Sequence, residues 1–163
     1  MKKTFIIIIN AILLNSCHFF SPVDSSIQTK NVDFNEVDII GKWKLDKFSY
    51  EYLCMKENVD SIYIIFKADS TFILNNSKDL FKWKYWTSDS SNAKENGAID
   101  NLNTSGTWKI SDYKSANLKL LEITYTDKTT QTGINVYKKG VNYQIWYFFG
   151  DPDTGERLRF LKE

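Results

Sequence analysis

From Gly41 onward, apolar and polar residues alternate with a period of two through much of the chain. In "GKWKLDKF" Trp43 and Leu45 fall on one side and Lys42, Lys44 and Asp46 on the other, the mark of a strand with one buried face. "SIYIIFKADSTFILNN" repeats the pattern on both sides of Ala68-Asp69-Ser70, which predicts a hairpin of strands 62–67 and 71–75. "FKWKYW" sets Phe81, Trp83 and Tyr85 against Lys82, Lys84 and Trp86 and predicts another strand with one wet face. "GTWKIS", "LKLLEITYT", "GINVYKK", "NYQIWYFFG" and "ERLRFLKE" follow as further strands. No amphipathic helix of useful length separates them, so the expected architecture is an all-β meander closed as a barrel or sandwich rather than a βαβ fold. One long stretch, Thr87 to Ser105, is rich in Ser, Asn and Asp and has no period; loops of that length are usually functional or unstructured.

The first residues follow another rule. Lys2 and Lys3 precede an apolar run, Phe5 to Leu14, broken only by Asn10. A positive start and a short apolar segment are the parts of a secretory signal peptide, and the run is too short to cross a bilayer, which takes about 20 apolar residues. It ends in Leu14-Asn15-Ser16-Cys17. That tetrad resembles the lipobox of bacterial lipoproteins, which implies cleavage before Cys17 and fatty acylation, for instance with palmitate, of the new N-terminal cysteine. Each buried methylene contributes about 0.8 kcal/mol to membrane binding, so more than one acyl chain holds a soluble domain without a helix. The expected organisation is a leader over residues 1–16, the lipidated Cys17 with a flexible linker over 17–36, and a folded domain over 37–163. The resemblance implies a cell-envelope protein. No acidic run follows Cys17, so the outer membrane, facing the periplasm, is the expected position.

Charge and cysteine content narrow the partners. The formal net charge of +1 includes Lys2 and Lys3, and no acidic residue lies among positions 1–16, so the mature chain carries −1. Nucleic-acid binding depends on neutralising several phosphates, and no such partner is expected. Cys54 is the only cysteine besides Cys17; it leaves no internal disulfide to the mature chain and reads as a small buried hydrophobe. Aromatic residues make up 15% of the sequence, a load that pleated strands accommodate by burial.

Gly41-Lys42-Trp43, opening the first strand of this short-strand domain, resembles the G-x-W signature of lipocalins, and the chain is similar in its order of elements to bacterial lipocalin-like lipoproteins. The resemblance implies a single antiparallel up-and-down barrel of about eight short strands. It also implies a structural role for Gly41 and Trp43, with a basic residue late in the last strand, Arg157 or Arg159, lying over the tryptophan. A barrel of eight strands encloses either a packed core or one small ligand.

Catalysis finds little to work with. The single histidine is His18, beside the acylation site, so the body lacks the usual general base and the commonest metal ligand. Ser-His-Asp and Cys-His arrangements cannot be built there. "GDPDTGERLRF" offers Asp151, Asp153 and Glu156, but Pro152 and Gly155 suit a tight hairpin turn better than a cation loop. No enzyme activity, metal or cofactor is expected. The aromatics leave two functional classes. A barrel that takes a small apolar or amphipathic molecule would line its cavity with Phe66, Phe72, Trp108, Tyr143, Ile145, Tyr147 and Phe149, while Trp86 and Trp146 are candidates for stacking on sugars outside. A protein-interaction module of the inhibitor or immunity type would instead fill its interior and use Thr87 to Ser105 for contact. The ligand-binding barrel is the first expectation and the interaction module the alternative.

Overall fold

The computed structural model describes residues 24–50, 62–75, 81, 103–128, 130–148 and 157–163. Nine strands follow in chain order: β1 (Ile27–Gln28), β2 (Gly41–Leu45), β3 (Tyr63–Phe66), β4 (Thr71–Asn75), β5 (Thr104–Tyr113), β6 (Leu118–Tyr125), β7 (Thr130–Lys139), β8 (Asn142–Phe148) and β9 (Arg157–Lys162). One helical turn, α1 (Glu36–Ile39), precedes β2. Each of β2 to β8 pairs antiparallel with the strand that follows it, and β9 returns to pair with β2. The ring is thus a closed up-and-down barrel of eight strands, and closure removes the exposed sheet edges that an open meander would leave.

Two departures from the expected layout concern what lies between the strands. β4 pairs directly with β5, with Thr71 opposite Thr107 and Leu74 opposite Thr104, where a strand over 81–86 was expected between them. Of that expected strand only Phe81 is among the described residues. The linker expected over 17–36 is, from Asp24 onward, part of the fold. β1 adds to β7 through Ile27 opposite Lys139 and Gln28 opposite Lys138, and Phe34 is buried. Its sequence is polar and has no period, but side chains fix it locally. Asn35 accepts a hydrogen bond from the Val37 amide and Asp38 accepts one from the Asn35 amide, a reciprocal cap that starts α1.

Alternation decides which side chains enter the barrel. Trp43, Leu45, Ile64, Phe66, Phe72, Leu74, Trp108, Leu121, Ile123, Tyr125, Ile145, Tyr147, Leu158 and Phe160 all belong to one buried cluster, and within each strand they sit two residues apart, on the inward side of the pleat. The turns are as constrained. In the β3–β4 turn the Asp69 carboxylate accepts from the Thr71 amide at 3.0 Å and its hydroxyl at 2.6 Å, while Ser70 takes a left-handed φ of 61°. Gly106 marks the closest backbone approach: a Cβ there would lie 2.0 Å from the Thr124 carbonyl oxygen and 2.9 Å from the Phe72 ring. A glycine inside a strand is what such a pinch requires.

Candidate functional site

The barrel interior and its two ends are where a small β-barrel holds a guest, if it holds one. Inside, rings meet edge to face. Phe66 lies 5.6 Å from Trp108, and Phe72 lies 5.7 Å from Tyr125. These separations are those of favourable aromatic pairs. Of the seven residues expected to line a cavity, Phe66, Phe72, Trp108, Ile145 and Tyr147 occupy the interior as buried core. Tyr143 stands at the rim, half-buried, with its hydroxyl donating to the Asp33 carbonyl at 3.0 Å and the Lys138 ammonium 4.9 Å from its ring. Phe149 is outside the described residues.

One end of the barrel is closed by the chain that leads into it. At this end lie the start of β2, the β3–β4, β5–β6 and β7–β8 turns and the last residues of β9. The segment 24–39 crosses it, with Phe34 and Ile39 turned into the core. The Trp43 indole is fully buried and donates through Nε1 to the Ile39 carbonyl at 2.7 Å. Side chains tie the crossing segment to the barrel rim: Lys139 to Asp24 at 2.9 Å, Lys119 to Asp33, and Asn117 to Asn31 at 2.9 Å. The hydrogen bond from Lys139 holds the Asp24 carboxyl well below the usual carboxylate range, and that from Lys119 lowers Asp33 in the same way.

The basic residue over Trp43 is Lys162, not Arg157 or Arg159. Trp43 and Lys162 are cross-strand partners, the ammonium lies 5.4 Å from the ring centroid, and it donates to the Asp38 carbonyl at 2.6 Å. Burial holds it below the usual lysine range, with Asp38 opposing that shift. Strand parity explains the correction. Leu158, Phe160 and Lys162 share the inward side of β9, so Arg157 and Arg159 point outward. Gly41 completes the arrangement: its φ is 132°, and a Cβ there would press the Lys162 stem at 3.1 Å.

The two arginines instead organise the outer face. Arg159 pairs with Asp46, and the backbone amide of Arg159 donates to the Ser49 hydroxyl at 2.7 Å. Arg157 lies 4.1 Å from the centroid of Trp146, close enough for a cation–π contact. Trp146 also meets Tyr137 at 4.8 Å and donates to Gln144 at 2.9 Å. It is wholly buried, which removes it as a sugar-stacking surface. A second outer group, Glu122, accepts from Tyr113 at 3.0 Å and pairs with Lys109 at 3.0 Å. Its carboxyl is lowered chiefly by the Ser111 hydrogen bond, against the effect of burial. The Glu122 group has the partners expected of a structural cluster.

At the opposite end Phe81 enters the core. It is 1% exposed, 5.4 Å from Tyr147 and 5.7 Å from Phe160, and its amide donates to the Tyr125 hydroxyl at 3.4 Å. Parity in "FKWKYW" made Phe81 apolar and inward, but nothing in the sequence indicated which core it would enter. Lys162 was likewise missed, though its spacing from Phe160 carries the signal. Among the described residues, surface grooves include one of about 360 Å³ along Val141, Tyr143, Leu161 and Lys162 and one of about 290 Å³ along Asn31, Val32, Asn117 and Tyr137. Phe66, Phe72, Trp108 and Tyr147 line neither. Among the described residues no group of three or more His, Cys, Asp or Glu is placed to hold a metal ion, and no helix is long and apolar enough to cross a membrane.

Cys17, the leader 1–16, Cys54, Trp86, the acidic turn at Asp151, Asp153 and Glu156, and the expected contact loop up to residue 102 lie outside the described residues. No known family matches the chain, and no curated protein or solved structure is similar to it.

Proposed function

We propose that the chain is a lipid-anchored cell-envelope lipoprotein, held through Cys17 in the outer membrane on its periplasmic side, whose barrel is a solid scaffold for binding a protein partner. The observation that carries the choice over a ligand carrier is the interior itself. Phe34 and Ile39 enter the core from one end, Phe81 enters from the other, and Phe66, Phe72, Trp108 and Tyr147 interlock between them. A core packed to ordinary density has no room for a guest. What remains available to a partner is the loops. The polar stretch that starts at Thr87 is the proposed contact surface; the expected loop over 87–105 ends earlier than its pattern suggests, because Thr104 and Ser105 already pair with β4 as the start of β5.

A second reading keeps the small apolar ligand and is favoured by one contact set. Phe81 belongs to the long connection between β4 and β5 and rests on Tyr147 and Phe160, so a guest that displaced it would meet an aromatic wall. The test separates the two. The acylated protein is cross-linked in intact envelopes, and in parallel a variant shortened between Asp89 and Asn103 is used. A partner captured by the parent and lost in a shortened variant with an unchanged melting temperature supports the scaffold. Equal capture by both removes the loop from the proposal.

A further inference from the structure

The large apolar residues exposed among the described residues are Val37, Tyr113, Leu118, Val141 and Leu161. Scattered singly they would need no explanation, but they share one end of the barrel. Val37 lies in α1, Tyr113 and Leu118 flank the β5–β6 turn, Val141 is at the tip of the β7–β8 turn and Leu161 is near the end of β9. Val37 and Val141 are 77% and 86% exposed. The same end is of mixed charge: Lys30 and Lys114 are exposed there with Glu36 and Asp112, and Asp24 and Asp33 pair with Lys139 and Lys119. Exposed apolar side chains at the rim of an otherwise polar surface are what enters the headgroup boundary of a bilayer.

We infer that this end of the barrel rests on the lipid surface in which Cys17 is anchored. The inference rests on the lipid-anchor reading above, and chain length supplies the second argument. The chain from Cys17 reaches the barrel at Asp24, which Lys139 holds at this same end. Six residues lie between the two, and the seven steps from Cys17 to Asp24, fully extended, span at most about 25 Å. An eight-residue strand such as β6 is about as long. Turning the other end to the lipid would therefore use the whole tether with no slack, while the apolar end lies within easy reach.

The test uses full-length acylated protein, isotopically labelled and placed in nanodiscs of phosphatidylethanolamine and phosphatidylglycerol that contain a gadolinium-chelating lipid. Relaxation enhancement is read at the amides of Val37, Tyr113 and Val141 and at those of Asp127 and Lys128. The expected result is enhancement several-fold larger at the first three, and a fall to the level of the second pair in a Val37→Asp, Val141→Asp variant that remains acylated. Equal enhancement at the two ends, or more at Lys128, in a protein whose N-terminal peptide has the acyl mass overturns the docking and leaves the anchor standing. Absence of the acyl mass overturns both.

Discussion

The Lys162 ammonium lies 5.4 Å from the centre of the Trp43 ring, on the strand that closes the barrel against β2. The pair joins the first and last strands of the ring at the end where α1 and the crossing segment 24–39 seal it. The Lys162 ammonium stands over the indole, its stem lies against Gly41, and its head donates to the Val37 and Asp38 carbonyls of α1. Long cationic side chains often bury their stems in this way.

If the stem matters more than the charge, Lys162→Met keeps most of the stability and Lys162→Ala does not. We expect the alanine variant to lose on the order of 1–2 kcal/mol more than the methionine variant, from uncovered apolar surface. Chemical denaturation of both variants checks this. Equal losses would assign the effect to the ammonium and its α1 carbonyl partners.

Gly106→Ala should be among the most damaging single-methyl additions in the protein. The added Cβ meets a backbone carbonyl at 2.0 Å, which cannot move aside as the end of a flexible side chain can. Overpacking of this kind costs about 1–3 kcal/mol or more, and a fall in melting temperature of roughly 2–4 °C per kcal/mol follows for a chain of this size. A melting temperature matching the parent would contradict the pinch between β5 and β6.

The crossing segment should loosen in acid before the barrel does. The Asp24 and Asp33 carboxyls are depressed by Lys139 and Lys119, so their contribution is fully present above the unfolded value near 4 and is lost as pH falls through the lower folded values. Amide-exchange protection factors at Ile27 should therefore drop as pH falls below about 4 while that of Ile123 holds. Parallel behaviour of the two amides would show that the ion pairs do not hold the segment.

Phe81 distinguishes a core residue from a gate. Removing a ring from a filled core costs about 3–5 kcal/mol, so Phe81→Ala should be strongly destabilised in denaturant. A gate over an empty chamber would be truncated with little loss. Stability within about 1 kcal/mol of the parent would favour the ligand carrier.

Much of the barrel was legible because period-two patterning is enforced wherever one face is wet. β2, β3 and β4 follow it, and their inward residues were readable from spacing alone, whereas β6 has Leu118 and Leu120 on the outward parity and buries Glu122 between Leu121 and Ile123. β8 was harder. Its run Gln144-Ile145-Trp146-Tyr147 is buried on both sides, so burial no longer follows alternation, and Trp146 read as a surface residue. Segment 24–36 resembled a linker because its order comes from individual side-chain bonds and one buried ring, Phe34, which leave no periodic trace. The basic residue over Trp43 was assigned to the wrong side chains because arginines 157 and 159 carry the expected charge, whereas the inward side of β9 ends in a lysine. The candidate site was the least legible part. Pattern identifies inward aromatics, but only their mutual distances show whether they line a space or fill it.

The most direct test of the central claim, a barrel filled by its own side chains, is native mass spectrometry of the protein extracted from its own membrane. The expected spectrum is the acylated chain alone, unchanged when collisional activation is raised. A stoichiometric small apolar molecule that leaves on activation, and that is absent when Tyr147 is replaced by alanine, would contradict the account and restore the ligand carrier.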